Sequence, residues 1–191
     1  MCLVGGYESS ITFVTDAGDK TNEYYRDISS MEDDSQVYTK CEVSKLSGEG
    51  AVWIVYSEKN YGRAGEGAGK SCIVLPSATG QIKPRPPFRI QSAQAFNITQ
   101  PCICLFEHSD YRGNKLPTSQ GIENIKQSFP TDEVGGLSSC VATSGLWYVY
   151  TKPAYHGTSR TVDATNGIKE VPFFEGLNDQ LESLKLIRAS D

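Results

Sequence analysis

The stretch Ala64-Gly65-Glu66-Gly67-Ala68-Gly69-Lys70-Ser71 comes within one glycine of the phosphate-binding pattern G-x-x-x-x-G-K-[ST]. That pattern works where a loop between a strand and a helix turns backbone N–H groups onto phosphates, with the lysine on the β/γ oxygens and the hydroxyl on Mg²⁺. Here the following residues, Cys72-Ile73-Val74-Leu75-Pro76, are apolar, β-branched and stopped by proline, and no strand–helix alternation comes after them. A flexible glycine-rich loop running on to Lys83-Pro84-Arg85-Pro86-Pro87 is the better reading. A P-loop-like nucleotide binder is the distant alternative, and it depends on Lys70 alone. The remaining reactive residues form no catalytic set. His108 follows Glu107 in a turn and His156 lies between Tyr155 and Gly157, neither with a nucleophile to activate, while Glu32-Asp33-Asp34 reads as a solvated loop. No enzyme is expected.

The six cysteines include no Cys-x-x-Cys pair, and with two histidines in the chain a zinc site has little support. Cys102 and Cys104 alternate on one apolar run and so share a face. Cys41 and Cys140 follow comparable runs, Tyr38-Thr39-Lys40 and Leu137-Ser138-Ser139, and look like core, so buried free thiols are expected. Asn97-Ile98-Thr99 is a glycosylation sequon, which matters only in a secreted protein.

Whatever chemistry there is must be positioned by a repeated element. An aromatic pair spaced by five residues and closed by glycine occurs as Phe106/Tyr111/Gly113 and Tyr150/Tyr155/Gly157, and again as Tyr56/Tyr61 with Gly62 one place early. Trp53 and Trp147 each stand three residues before an aromatic, so the chain reads as two halves of two units. A worn fourth copy begins at Phe13, with Gly18 in the place of the second aromatic. The runs Val52-Trp53-Ile54-Val55-Tyr56, Ile103-Cys104-Leu105-Phe106 and Leu146-Trp147-Tyr148-Val149-Tyr150 carry the β-branched and aromatic signature of strands. A hairpin after each would stack its two rings over the turn, and the glycine would supply a positive φ.

Composition agrees with an all-β chain. It has 191 residues with 18 glycines and 9 prolines, and helical spacing occurs only over residues 121–128 (Ile122, Ile125) and 177–184, both short enough to be connectors. A net charge of −5 argues against a nucleic-acid partner. No run reaches the ~18 apolar residues of a membrane helix. The start, Met1-Cys2-Leu3-Val4-Gly5-Gly6-Tyr7, lacks a basic region and apolar core, so the expectation is a soluble, cytoplasmic protein that meets no membrane.

The aromatic-x4-aromatic-x-Gly hairpin, the paired units, the Trp opening the second unit of each half and the closing Leu177-Asn178-Asp179-Gln180-Leu181-Glu182-Ser183-Leu184 resemble the βγ-crystallin superfamily. The resemblance covers nearly the whole chain and is strongest from Cys102 to Ile187. It implies two domains, residues 1–96 (Greek keys 1 and 2) and 102–191 (Greek keys 3 and 4), joined by a linker at 97–101. Each would be a sandwich of two four-stranded antiparallel Greek keys. It further implies a non-enzymatic structural protein, paired through its domains within the chain or as a homo-oligomer.

Members of that family often bind two Ca²⁺ per domain through stretches of form [ND]-[ND]-x-x-[ST]-S, each site shared between two units and a hairpin carbonyl. Hydroxyl, carboxylate and carbonyl oxygens together suit a hard cation. Here the third unit offers Val134-Gly135-Gly136-Leu137-Ser138-Ser139, which keeps the hydroxyl and loses the acids. The fourth offers Asn178-Asp179-Gln180-Leu181-Glu182-Ser183, which keeps the acids and has Glu182 for the hydroxyl. One complete site is implied: the Ser138 hydroxyl, the Gly136 and Glu107 carbonyls and the Asp179 carboxylate, with Asn178 beside it. Its counterpart has Gly135 where an acid is needed. In the first half the aligned stretches are Ser35-Gln36-Val37-Tyr38-Thr39-Lys40 and Pro87-Phe88-Arg89-Ile90-Gln91-Ser92, where Thr39 keeps a hydroxyl and nothing supplies a carboxylate. The expectation is no Ca²⁺ in the first domain and at most one in the second. The alternatives are a calcium-binding regulatory or stress module stabilised by the ion, and a bland reading in which Asn178 and Asp179 merely cap a turn.

Overall fold

The runs rich in β-branched and aromatic residues become strands, and among the described residues no long helix competes with them. The structure is a computed structural model that describes residues 6–21, 23–31, 37–63, 69–76, 88–129, 137–177 and 179–189. The chain divides into two compact units, Met1–Ile98 and Thr99–Asp191.

In the first unit β1 (Ser9–Thr15) pairs antiparallel with β2 (Tyr38–Lys45), and β3 (Ala51–Tyr56) lies between β4 (Ser71–Val74) and β5 (Ser92–Asn97). Single bridges extend both layers: Tyr24 and Lys20 return beside β1 at Ile11 and Val14, and Ile28 joins β5 at Ala93. The second unit holds a four-stranded sheet in the order β11 (Lys169–Val171), β8 (Ser139–Ser144), β6 (Cys102–Phe106), β7 (Lys115–Thr118). A three-stranded sheet runs β10 (His156–Asp163), β9 (Leu146–Lys152), β12 (Ser183–Arg188), with Ile122 bridging to Leu184 at its edge. The layers therefore exchange strands: β11 follows β10 in the chain yet pairs with β8, and Ile122 follows β7 yet joins β12. All these pairings are antiparallel, and each unit is a Greek-key sandwich.

Side chains from both layers meet in one core per unit. Phe13, Cys41, Trp53, Val55, Ile90 and Ala93 fill the first; Ile103, Leu105, Cys140, Trp147, Val149 and Leu184 fill the second. The helical spacing at 121–128 is realised as one short helix, α1 (Ile125–Ser128). That at 177–184 is not. The chain there makes a turn, with Asp179 at φ 57°, and enters β12. Leu177, Leu181 and Leu184 fall at i, i+4 and i+7, but Leu181 and Leu184 reach the core from a bridge to Leu137 and from a strand. The worn copy is also offset by one residue. Lys40, the counterpart of Ser139, pairs with Val14, so Val14 and not Phe13 occupies the place of Phe106. An ordinary tight turn follows, closed by Gly18 N–H to Thr15 O (3.1 Å).

Among the described residues no two cysteines form a disulfide, and Cys41, Cys102, Cys104 and Cys140 are buried. Burial, with Cys72 adding to it, pushes the Cys41 thiol from its ordinary 9.0 up to about 12, and burial raises Cys140 as well. At pH 8 only about one Cys41 in ten thousand would be thiolate. Alkylation followed by mass spectrometry should therefore label the partly exposed Cys72 well before Cys41, with equal rates after unfolding; fast labelling of native Cys41 would contradict its burial. In the unfolded chain these thiols ionise near 9 while the folded form keeps its protons. Stability is thus fully present below about pH 9 and falls as pH rises from there toward 12.

Candidate metal centre

Each folded hairpin turns through two consecutive left-handed residues: Asn60 and Tyr61, Asp110 and Tyr111, Ala154 and Tyr155, all with φ between 53° and 64°. For L-residues this conformation costs about 1–2 kcal/mol apiece. Three contacts hold it. The ring pairs pack at centroid distances of 6.1 Å (Tyr56–Tyr61), 5.7 Å (Phe106–Tyr111) and 6.0 Å (Tyr150–Tyr155). A glycine follows the second ring; at Gly113 (φ +79°) a Cβ would sit 2.9 Å from both Glu107 Oε2 and His108 Cδ2. Third, a buried serine clamps the turn. Ser139 Oγ donates to His108 O (2.6 Å) and accepts from Tyr111 N–H (3.0 Å). Ser183 does the same between Lys152 O and Tyr155 N–H, and Ser92 between Glu58 O and Tyr61 N–H. These clamps escaped the reading of the sequence, although their signal was there in the serine that ends three of the four aligned stretches.

Burial also raises the hairpin phenols. Tyr61 is pushed up to about 12 by burial, with Asp27 adding, and Tyr111 higher still, with Glu170 adding.

The residue before each clamp faces the hairpin carbonyl. Ser138 N–H donates to Phe106 O (3.2 Å), which sets its side chain against the next residue, Glu107. Ser138 Oγ lies 2.9 Å from Glu107 O and 2.6 Å from Asp179 Oδ1. Ser138 is 2% exposed and Glu107 8%, whereas Asp179 lies at the surface. The Glu107 carboxylate is engaged elsewhere, accepting from Asn114 N–H (3.1 Å), so its carbonyl is what it presents. Three of the residues singled out from the sequence thus converge: Ser138, Glu107 and Asp179. Gly136 and Asn178 lie outside the described residues, as do Glu32-Asp33-Asp34, Ser35-Gln36, Gly135 and residues 64–68.

A hydroxyl has one proton and can satisfy one of those two acceptors at a time. The donor set of hydroxyl, carbonyl and carboxylate is the kind a hard cation takes. Among the described residues no three His, Cys, Asp or Glu side chains gather to hold a metal, so this oxygen cluster is of a different type, with a single carboxylate.

The first unit has the same frame with other side chains. Gln91 N–H donates to Tyr56 O (2.8 Å), as Ser138 does to Phe106, but Gln91 Nε2 donates to Ser57 O (2.8 Å). Ser57 is the counterpart of Glu107, so an amide N–H fills the place a cation would need. At the other position Thr39 Oγ1 donates to Asp16 Oδ1 (2.7 Å). A carboxylate is therefore present beside Thr39, contrary to the reading of the sequence, because it comes from the adjacent hairpin and not from the paired stretch. As for the phosphate-loop pattern, Ser71 opens β4 where a helix would be required.

A family model for Beta/Gamma crystallin matches residues 102–187. The structure of geodin, a beta-gamma crystallin from Geodia cydonium, superposes with a TM-score of 0.73 at 21% identity over 94% of this chain and 99% of its own. The second unit matches the βγ-crystallin family in sequence, and the whole chain has the βγ-crystallin fold. Its βγ-crystallin fold extends over both units, since geodin spans both. A beta gamma crystallin from Ciona intestinalis matches 44% of the chain and 98% of its own at 24% identity (TM-score 0.38). The solution structure of protein S complexed with calcium matches 93% and 99% at 13% (TM-score 0.36). No curated protein matches in sequence. Among the described residues no helix is long and apolar enough to cross a membrane.

Proposed function

We propose that this chain is a non-enzymatic structural protein of the βγ-crystallin type whose second unit takes one Ca²⁺. Ser138 Oγ, the carbonyls of Glu107 and Gly136 and the Asp179 carboxylate hold the ion, with Asn178 beside them. The observation that carries this reading is the meeting of Ser138 Oγ, Glu107 O and Asp179 Oδ1 around one hydroxyl proton. Ca²⁺ accepts all three oxygens at once, at 2.3–2.6 Å, where the proton serves one pair. In the first unit the Gln91 amide on Ser57 O favours an unmetallated domain.

Calorimetric titration of the metal-stripped chain is expected to show one binding event, lost in Asp179→Ala and in Ser138→Ala. An event that survives both substitutions would place the ion elsewhere, and no heat at millimolar Ca²⁺ would leave a purely structural protein.

A second reading, a module stiffened by calcium, is favoured by where the ligands come from. Glu107 lies in the β6–β7 hairpin, Ser138 enters β8 and Asp179 precedes β12. An ion held by all three ties both Greek keys together, and at 100 times its Kd it would add about 2.7 kcal/mol. The melting temperature of the second unit should rise accordingly, while that of Asp179→Ala stays where it was.

A further inference from the structure

The second unit contains the same frame twice. Glu182 stands before the clamp Ser183 as Ser138 stands before Ser139, and its N–H donates to Tyr150 O (2.8 Å) as that of Ser138 does to Phe106 O. Thr151 is the counterpart of Glu107. Both use the side chain to accept an N–H seven residues on, Thr158 to Thr151 Oγ1 (3.0 Å) and Asn114 to Glu107 Oε2 (3.1 Å). What differs is the occupant. Beside Glu182 Oε1, at 2.6 Å, lies the ammonium of Lys126 from α1. The helix is docked there by its backbone as well, Ile125 N–H donating to Glu182 O (2.8 Å). One residue earlier, Asn124 Oδ1 is buried and, among the described residues, lacks a hydrogen-bond partner. A buried oxygen of that kind calls for a donor or a cation.

We propose that Lys126 is a tethered cation standing in the second metal position of this unit, and that it limits the unit to one Ca²⁺. The proposal rests on the calcium reading above for its first ion. An ammonium satisfies the Glu182 carboxylate and repels a divalent ion from it, so this position needs no metal. A purely structural ion pair is a poor alternative account. The Lys126 side chain is 50% exposed and that of Glu182 24%, a setting in which such pairs contribute little to stability.

The test is calcium titration of the whole chain as wild type, Lys126→Met, Lys126→Arg and Lys126→Met/Glu182→Gln, with melting temperatures in the absence of calcium. Lys126→Met keeps the stem and removes the charge. It should bind a second Ca²⁺, roughly tenfold or more tighter than any second event in the wild type, with little change in melting temperature. Lys126→Arg should stay at one ion, and Lys126→Met/Glu182→Gln should return to one. If wild type and Lys126→Met both bind one ion, the tethered-cation proposal fails and the calcium reading stands. If the wild type binds none while Lys126→Met binds one that Glu182→Gln removes, the calcium reading and the one-ion limit fail, and Lys126 as the tethered cation at Glu182 stands. No binding by any variant at millimolar Ca²⁺ overturns both.

Discussion

Replacing Trp147 by alanine should cost the second unit about 3–5 kcal/mol, the range for truncating a large aromatic in a core. Trp147 is 0% exposed, sits on the central strand β9, and packs in the cluster of Leu105, Cys140, Val149 and Leu184. Its Nε1 donates to Ser144 O (2.8 Å), so the substitution also strips a buried carbonyl of its donor. Gly145 allows that contact; at φ +92° a Cβ there would lie 3.0 Å from the indole nitrogen. Since a domain has 5–15 kcal/mol in total, this loss is a large share of it. The chain has two tryptophans, and Trp147→Ala leaves Trp53 as the sole indole, a fluorescent reporter of the first unit. Urea unfolding followed by circular dichroism should show the second unit melting early while Trp53 reports a first-unit transition of its own. A loss below about 1 kcal/mol would mean that the site collapses around the missing ring and that β9 is not the centre of the core.

The repeated aromatics made the fold legible, because Tyr56/Tyr61, Phe106/Tyr111 and Tyr150/Tyr155 mark hairpins whose rings must pack for the turn to hold. The first Greek key lacked that mark. Val14 stands in the aromatic's place and a plain turn needs no ring pair, so nothing in the residue types fixed its register. Strand exchange was equally hidden, since Ile122 and Ile28 join their sheets by single bridges too short to carry a period-2 pattern. Leu177, Leu181 and Leu184 imitated a helix because two strand-side core positions and a turn happen to fall at helical spacing. At the site, residue types showed which side chains keep oxygen, hence Ser138, Glu107 and Asp179. They could not show what fills the other positions. Gln91 acts at a folded hairpin, Asp16 from the plain turn after β1 and Lys126 from α1, approaches that only the folded chain sets.

Ser139→Ala should separate fold from site within the second unit. The Ser139 hydroxyl is fully buried and serves two partners, so its removal orphans His108 O and Tyr111 N–H. Each unmet buried group costs about 1–3 kcal/mol, giving an expected loss on the order of 2–6 kcal/mol. The damage falls where the chain already holds Asp110 and Tyr111 left-handed, so the hairpin should relax toward an ordinary turn. Glu107 precedes His108 and offers its carbonyl to Ser138, which puts the candidate calcium ligand on the segment that moves. Ser183→Ala removes the matching clamp at Lys152 O and Tyr155 N–H, and should cost similar stability without touching Glu107 or Ser138. The pair is therefore informative through its difference: comparable losses in denaturant unfolding, but weaker Ca²⁺ binding in Ser139→Ala alone. Equal weakening in both would mean that affinity follows the overall stability of the unit and not the placement of one carbonyl. No weakening in either would remove the Glu107 carbonyl from the ligand set, leaving Ser138 and Asp179 to hold the ion with whatever residues 130–136 supply.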